Sequence, residues 1–406
     1  MSSRFSEISL GPPIEVFALT EAFNKDNFDK KVNLGVGAYR TEKGKPWVLP
    51  VVKDVEKLLA SDDTLNKEYL PVLGNPAFCN AATSMLLGAD NPILKENRAF
   101  GIQCLSGTGA LRVAADFLVR QLGSTIYYYS TPTWENHTLV FNNAGFKEGR
   151  AYRYWDPVAR GLDLEGMLED LREAPENAVI ILHACAHNPT GCDPTQDQWK
   201  QIADVIEEKK LFPLFDSAYQ GFASGDLEKD AWAVRYFASR GFEMFCTQSF
   251  AKNFGLYCER VGNLTVIMNN PEYVVTSKSQ FTLIIRGMYS NPPSHGALIV
   301  AKVLTDPNLF EQWKDHIRTM SSRIIEMRKA LRTALEKLQT PGDWSHITSQ
   351  IGMFSYTGLN ENQSLHMVKT HHVYMLKSGR ISMCGVTPTN VDYVAQSIHD
   401  TLNSVI

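Results

Sequence analysis

The stretch from Ala178 to Asp216 restricts the fold more than any other part of the chain. Ala178-Val-Ile-Ile-Leu182 is an unbroken apolar run of strand length. Such a run, without polar alternation, reads as a strand buried on both faces. The turn Asn188-Pro-Thr-Gly191 follows, and Thr195 to Lys210 then sets Trp199, Ile202 and Ile206 on one helical face. Leu211 to Phe215 is the next apolar strand, ending at Asp216. A strand, a helix of about four turns and a second strand make a parallel β-α-β unit. Thr125–Tyr129, Phe242–Thr247 and Val261–Met268 add further strand-like runs. The expected core is α/β, a mostly parallel sheet sandwiched by helices.

From Phe310 the period changes. Phe310, Trp313, Ile317, Met320, Ile324, Met327, Leu331, Leu335 and Leu338 recur at steps of three and four until Pro341-Gly342. The e and g positions carry no regular charge pairing, so a long helix packed on its own protein is preferred to a coiled coil. It leads to two strand-like segments, 350–358 and 379–385, and a closing helix. This predicts a large α/β domain over 49–321, with 1–48 and 322–406 forming a smaller α+β domain. At 406 residues, two domains suit the length.

Charge and composition exclude several classes. Forty Lys and Arg against 44 Asp and Glu leave −4, so no net field points to nucleic acid or an anionic membrane. No apolar run reaches the ~18 residues of a membrane span. Met1 to Leu10 hold one Arg and one Glu and no apolar core of signal-peptide length, so a cytoplasmic protein is expected. The seven cysteines are odd in number and scattered, without C-x-x-C, which reads as reduced structural thiols. His183 and His187 are four apart but lack the Glu of H-E-x-x-H; a supporting role is expected for them, and no metal.

Four features stand near the strand ends. Ser106-Gly-Thr-Gly-Ala-Leu111 runs from an apolar stretch into a helical one, and small residues there expose backbone N–H groups to an anion. It is neither G-x-G-x-x-G nor a P-loop. Asp216 lies at the carboxyl end of a strand, where α/β sheets bind ligands, although a helix N-cap would use the same residue. Lys252, among Phe250 and Phe254, has the setting of a desolvated amine nucleophile; taken alone, an exposed surface lysine is the better reading. Arg260, Arg286 and Arg380 lie in apolar or Gly-containing surroundings and suit either buried ion pairs or clamps on carboxylate and phosphate. A Lys, an Asp, an anion-binding turn and several Arg together match a phosphorylated aldehyde cofactor with an acidic substrate.

A rival reading takes Ser249-x-x-Lys252, Tyr289-x-Asn291 and Lys377-Ser-Gly379 as the three motifs of a serine acyl-transfer enzyme, with Ser249 as nucleophile. Such short patterns arise easily by chance, and S-x-x-K directly after a strand of an alternating α/β core fits poorly.

Longer stretches carry a resemblance. They include Asn33-Leu-Gly-Val-Gly-Ala-Tyr-Arg40, Glu68-Tyr-Leu-Pro71, Ser106-Gly-Thr-Gly-Ala-Leu-Arg112, Pro132-Thr-Trp-Glu-Asn-His137 and His183-Ala-Cys-Ala-His-Asn-Pro-Thr-Gly191. Asp216-Ser-Ala-Tyr-Gln-Gly-Phe-Ala-Ser224, Gln248-Ser-Phe-Ala-Lys-Asn253, Tyr289-Ser-Asn-Pro-Pro293 and Ser378-Gly-Arg-Ile-Ser382 continue the series. In these the chain resembles the fold-type-I pyridoxal phosphate enzymes, class-I aminotransferase family, in the form of its cytosolic animal members. The resemblance covers essentially the whole chain and implies a homodimer that binds pyridoxal 5'-phosphate. It also implies ping-pong transfer of the amino group from L-aspartate to 2-oxoglutarate, giving oxaloacetate and L-glutamate.

By the same resemblance, Lys252 is the Schiff-base lysine and the proton carrier, and Asp216 is the partner of the ring nitrogen. Tyr219 and Asn188 face the phenolic oxygen, Trp134 stacks on the ring, and His137 stands behind Asp216. Ser106, Gly107, Thr108, Ser249 and Arg260 form the phosphate cradle, joined by Tyr69 and Ser290 from the other subunit. Arg380 clamps the α-carboxylate and Arg286, from the neighbouring subunit, the side-chain carboxylate. Gly37 lies where relatives close over substrate. Having both arginines argues against a decarboxylase or lyase of the same fold, which needs no dicarboxylate clamp. Gln121-Leu-Gly-Ser-Thr-Ile126 is shorter than in vertebrate members, at a helix-to-strand loop where length is tolerated.

Overall fold

Seven strands form the central sheet of the computed structural model, which describes residues 3–405. In chain order they are β1 (Ala99–Leu105), β2 (Ile126–Thr131), β3 (Glu148–Arg153), β4 (Val179–His183), β5 (Phe212–Ser217), β6 (Met244–Ser249) and β7 (Val261–Ile267). Their spatial order is β1-β7-β6-β5-β4-β2-β3. All neighbours are parallel except β7, which runs against both β1 and β6. The carboxyl ends of β1, β2, β4, β5 and β6 therefore share one edge with the amino end of β7. Met1, Ser2 and Ile406, which fall within the expected small domain, lie outside the described residues.

The β-α-β expectation holds. β4 is buried from Val179 to Leu182, and helix α2 (Gln196–Glu208) begins at a capping box of Thr195 and Gln198. Trp199, Ile202 and Ile206 face the same apolar cluster as Leu182 and Phe215, so one layer of side chains joins strand, helix and strand. On the other face, α1 (Ser106–Leu122) packs Leu111, Val113 and Leu118 with Ile181, Leu214 and Leu264. The loop that follows is opened by Gly123, whose φ of +65° forms the left-handed cap of α1.

One strand had no signal. β3 reads Glu-Gly-Arg-Ala-Tyr-Arg because it is the sheet edge, where only Tyr152 is buried and charge discourages pairing with another chain. β1 begins and ends in half-buried residues.

After α3 (His295–Thr305), the periodic segment is a single helix, α4 (Pro307–Lys337), which buries Trp313, Ile317, Met320, Ile324, Met327, Leu331 and Leu335 against its own protein. It opens on an Asp306 cap with Pro at its first position. The C-terminal region adds a short antiparallel pair, β8 (Phe354–Tyr356) with β9 (Arg380–Ser382), and a closing helix over Val391–Ser404. A helix over Glu361–His371 lies between those two strands. Among the described residues no helix is long and apolar enough to cross a membrane. The seven cysteines are all free, five of them buried.

Candidate active site

The shared strand edge opens into a cavity of about 400 Å³. Its wall is the set of strand ends. Ser106, Gly107 and Thr108 start α1, Asp216 is the last but one residue of β5, beside its register partners His183 and Thr247, and Ser249 closes β6. Lys252 follows three residues later, and Arg260 leads into β7. From the C-terminal region come Phe354 and Arg380; from the N-terminal segment come Val16, Phe17 and Gly37. Twelve of the fifteen residues expected to act in catalysis or to bind cofactor or substrate line this cavity. They are Gly37, Ser106, Gly107, Thr108, Trp134, Asn188, Asp216, Tyr219, Ser249, Lys252, Arg260 and Arg380. Tyr69, Arg286 and Ser290 do not; Tyr69 is 83% exposed and Arg286 also faces outward.

Asp216 is held as a charged group. Burial alone would raise its pKa, but His137 donates to its Oδ2 across 2.9 Å, and the nearby His137, His183 and Lys252 favour the anion. The net direction is downward from the ordinary carboxylate value. His137 pairs its Nδ1 with the Thr133 hydroxyl at 2.9 Å, so one neutral tautomer satisfies both contacts. His183 lies behind, its Nδ1 accepting from the Asn188 N–H at 3.0 Å, with burial foremost and His137 next in driving its pKa to about 3.

Lys252 sits with Nζ 5.2 Å from the Tyr219 ring centroid. Burial lowers its pKa; Asp216 opposes that shift and Arg260 adds to it, so the amine loses its proton more readily than an exposed lysine. The Tyr219 hydroxyl is pushed well up by burial, with Arg380 pulling the other way, and it stays a proton donor.

Arg380 is 6% exposed. It stacks on Phe354, with Cζ 4.1 Å from the ring centroid, and Nη2 donates to Gly35 C=O at 2.9 Å. Nη1 approaches Asn188 Oδ1 at 3.5 Å, while Nε is buried without a partner. A buried guanidinium with an unspent donor is costly unless an anion meets it.

The α1 terminus has the build of an anion cradle. Ser106 and Arg260 both hold left-handed backbone, at φ of +60° and +52°, strained for non-glycine residues. Ser106 N–H donates to Arg260 C=O at 3.0 Å, and the Ser106 and Ser249 hydroxyls lie 3.1 Å apart. A Cβ on Gly107 would stand 3.2 Å from Ser249 Cβ, and one on Gly262 only 2.4 Å from the Ser106 carbonyl carbon. Backbone thus approaches backbone at the cavity wall, leaving N–H groups to face a ligand.

These observations fit pyridoxal phosphate on structural grounds: a phosphate-sized cradle at a helix start, a desolvated lysine and a fixed carboxylate in one cavity. The serine-nucleophile rival does not assemble. Tyr289, Asn291, Lys377 and Gly379 are all absent from the cavity lining, and Asn291 is engaged with Leu70 C=O at 2.7 Å.

Sequence reasoning missed Phe354, Tyr257, Val16 and Phe17 as cavity residues. Phe354 sat inside a segment read only as a strand. Val16 and Phe17 belong to an amphipathic helix over Glu15–Lys25, where apolar residues signal packing rather than a site. His183 was read in a supporting role, and its Nε2 is buried without a partner.

An α/β sheet whose strand ends present a lysine, a carboxylate and an anion cradle defines the class as a pyridoxal-phosphate-type enzyme. The profile of the class I and II aminotransferases matches residues 29–398, and the chain belongs to that family. It is 57% identical to the cytoplasmic aspartate aminotransferase of Gallus gallus, over all of this chain and 99% of that protein. The Caenorhabditis elegans protein of the same name is 55% identical over 99% of both. Among solved structures, the aspartate aminotransferase from Saccharomyces cerevisiae cytoplasm superposes with a TM-score of 0.96, at 45% identity over 99% of both chains. An aromatic-amino-acid aminotransferase from Burkholderia pseudomallei, covalently bound to pyridoxal phosphate, gives 0.96 at 40% identity, covering 99% of this chain and all of the other.

Proposed function

We propose that this chain transfers the amino group between L-aspartate and 2-oxoglutarate, as a homodimer that uses pyridoxal 5'-phosphate. The observation that carries the reading is the meeting of Lys252, Asp216 and Arg380 in one cavity with the cradle at the start of α1. Identity above 50% to two cytoplasmic aspartate aminotransferases over the whole chain supports the substrate and a cytoplasmic location.

Bound pyridoxal phosphate supplies an aldehyde that takes the amino group and a ring that accepts the electron pair of the substrate α-carbon. Ser106, Gly107, Thr108, Ser249 and Arg260 would hold the phosphate, with Trp134 against the ring. Asp216, charged and hydrogen-bonded by His137, favours a protonated ring nitrogen. Tyr219 and Asn188 offer donors to the phenolic oxygen. Lys252, its proton held weakly by burial, would take the proton from the substrate α-carbon and deliver it two atoms along, in a 1,3-shift. Arg380 binds the α-carboxylate through the donor it leaves unspent.

Arg286 of the partner subunit would meet the side-chain carboxylate, and Tyr69 of the partner subunit and Ser290 of the partner subunit the phosphate. Phe354, buried at the cavity wall, would shield the bound substrate from water. We read 49–321 as the large domain and 1–48 with 322–406 as the small one, Gly37 being a small-domain residue that lines the cavity. The test is product analysis. Aspartate with 2-oxoglutarate should give oxaloacetate and glutamate in equal amounts, and Lys252→Ala should abolish this while keeping non-covalent cofactor. Carbon dioxide as product, or normal turnover by the variant, overturns the reading.

A further inference from the structure

Tyr69, Arg286 and Ser290 do not line the cavity of their own chain, yet hydrogen bonds join the two segments that carry them. Gln103 of β1, 1% exposed, lies at the junction. Its Oε1 accepts from the Asn75 N–H at 2.9 Å, and its Nε2 donates to Pro293 C=O at 2.6 Å. Its backbone N–H donates to Leu73 C=O at 2.9 Å, and its carbonyl accepts from the Tyr289 hydroxyl at 3.5 Å. Gly74, at φ +99°, presses on it so closely that a Cβ there would stand 2.1 Å from Gln103 Cβ. Further out, Asn291 donates to Leu70 C=O at 2.7 Å and accepts from Ser290 Oγ at 2.9 Å. Ser290 Oγ in turn accepts from Arg286.

We infer that Gln103 is a positioning residue that fixes Tyr69, Arg286 and Ser290 as one bracket, set for the active site of a second copy of this chain. The inference rests on the proposed homodimer, in which those three residues act across the interface. Segments 69–75 and 286–293 are far apart in sequence, and a buried junction between them needs one acceptor and one donor on a single side chain. Glutamine supplies both. Glutamate keeps only the acceptor, and methionine keeps the shape with neither. Because one bracket carries a carboxylate clamp and two phosphate ligands, its loosening weakens substrate and cofactor binding together.

Gln103 also lies three residues before Ser106, so an effect confined to its own subunit is the competing outcome. Mixed dimers separate the two. In a Gln103→Met homodimer, which loses both buried side-chain hydrogen bonds, KM for aspartate should rise about tenfold or more. KM for a monocarboxylic amino acid should change far less, and cofactor should be lost on gel filtration, read by absorbance per dimer. A dimer of one Gln103→Met subunit and one Lys252→Ala subunit has a single working site, on the Gln103→Met chain, served by the intact bracket of its partner. It should recover about half the wild-type rate and retain cofactor on that subunit.

If the mixed dimer stays as impaired as the Gln103→Met homodimer, Gln103 acts in its own subunit and the inference is overturned. An unimpaired homodimer overturns it too. The control is Arg286→Ala mixed with Lys252→Ala. If that pair fails to recover, the shared-site reading falls and the inference falls with it; if it recovers and the Gln103 pair does not, only the inference is lost. Gln103→Glu, which keeps the bond from Asn75 and loses the one to Pro293, carries the same test should the methionine variant fail to fold.

Discussion

Replacing His137 with phenylalanine removes the strongest support for the Asp216 charge while keeping a ring against Trp134 and His183. The lost contact is a hydrogen bond to a carboxylate, worth about 1.5–3 kcal/mol. What remains at Asp216 is the long 3.4 Å approach of Thr247 to Oδ1. In the wild type the folded pKa lies below the ordinary 3.8. The charged form therefore stabilises the fold above that pH, and the contribution is lost as pH falls through the depressed value.

In the variant, burial acts unopposed by that bond and the folded pKa moves up. The carboxylate then destabilises the fold at neutral pH, and protonation relieves it as pH is lowered. Urea unfolding of the two apo-proteins at equal concentration should show a gap of about 1.5–3 kcal/mol at pH 8 that contracts toward pH 5. Phe-for-His repacking contributes a part that does not depend on pH. A gap constant between pH 8 and 5 would refute the claim that His137 holds the Asp216 charge.

Three other substitutions probe separate parts of the account. Arg380→Lys keeps the charge but loses the planar stack on Phe354 and the paired donors. kcat/KM for aspartate should fall by roughly 30–150-fold, about 2–3 kcal/mol, and an unchanged value would remove Arg380 from the substrate site. Gly262→Ala would place Cβ 2.4 Å from Ser106 backbone. The cradle must then shift at a cost of about 1–3 kcal/mol, and equilibrium dialysis should show cofactor affinity lower by about tenfold or more; unaltered affinity means the phosphate sits elsewhere. Trp313→Ala empties a fully buried site stacked on Phe254 and cuts the bond from Nε1 to Asn253 C=O. Unfolding free energy should drop by about 3–5 kcal/mol, whereas a loss below 1 kcal/mol would show that α4 does not anchor through this residue.

The core was legible because buried strands and amphipathic helices write their environment directly into residue pattern. Val179 to Leu182 had nothing but apolar neighbours to satisfy, and α4 repeats its buried face for 31 residues. β3 was illegible for the opposite reason: an exposed edge rewards Glu148 and Arg150, which look like loop. The candidate site divided along a similar line. Charged residues at strand ends, such as Asp216 and Lys252, stand out where an apolar run stops. Phe354 lies against the Arg380 guanidinium at the cavity wall, and an aromatic residue that lines a cavity carries the same signature as one that fills a core. The Gln103 junction left no trace at all, since its partners are backbone groups and a backbone amide has no letter in the sequence.

The central claim is that Lys252 and Asp216 serve one bound cofactor that carries an amino group from aspartate to a 2-oxo acid. The visible absorption spectrum of the loaded protein, recorded before and after aspartate alone and then after 2-oxoglutarate, tests it most directly. The account predicts that aspartate removes the band of the lysine-linked cofactor in favour of an amine form, and that 2-oxoglutarate restores it. A spectrum that forms with cofactor but stays unmoved by aspartate would contradict the account.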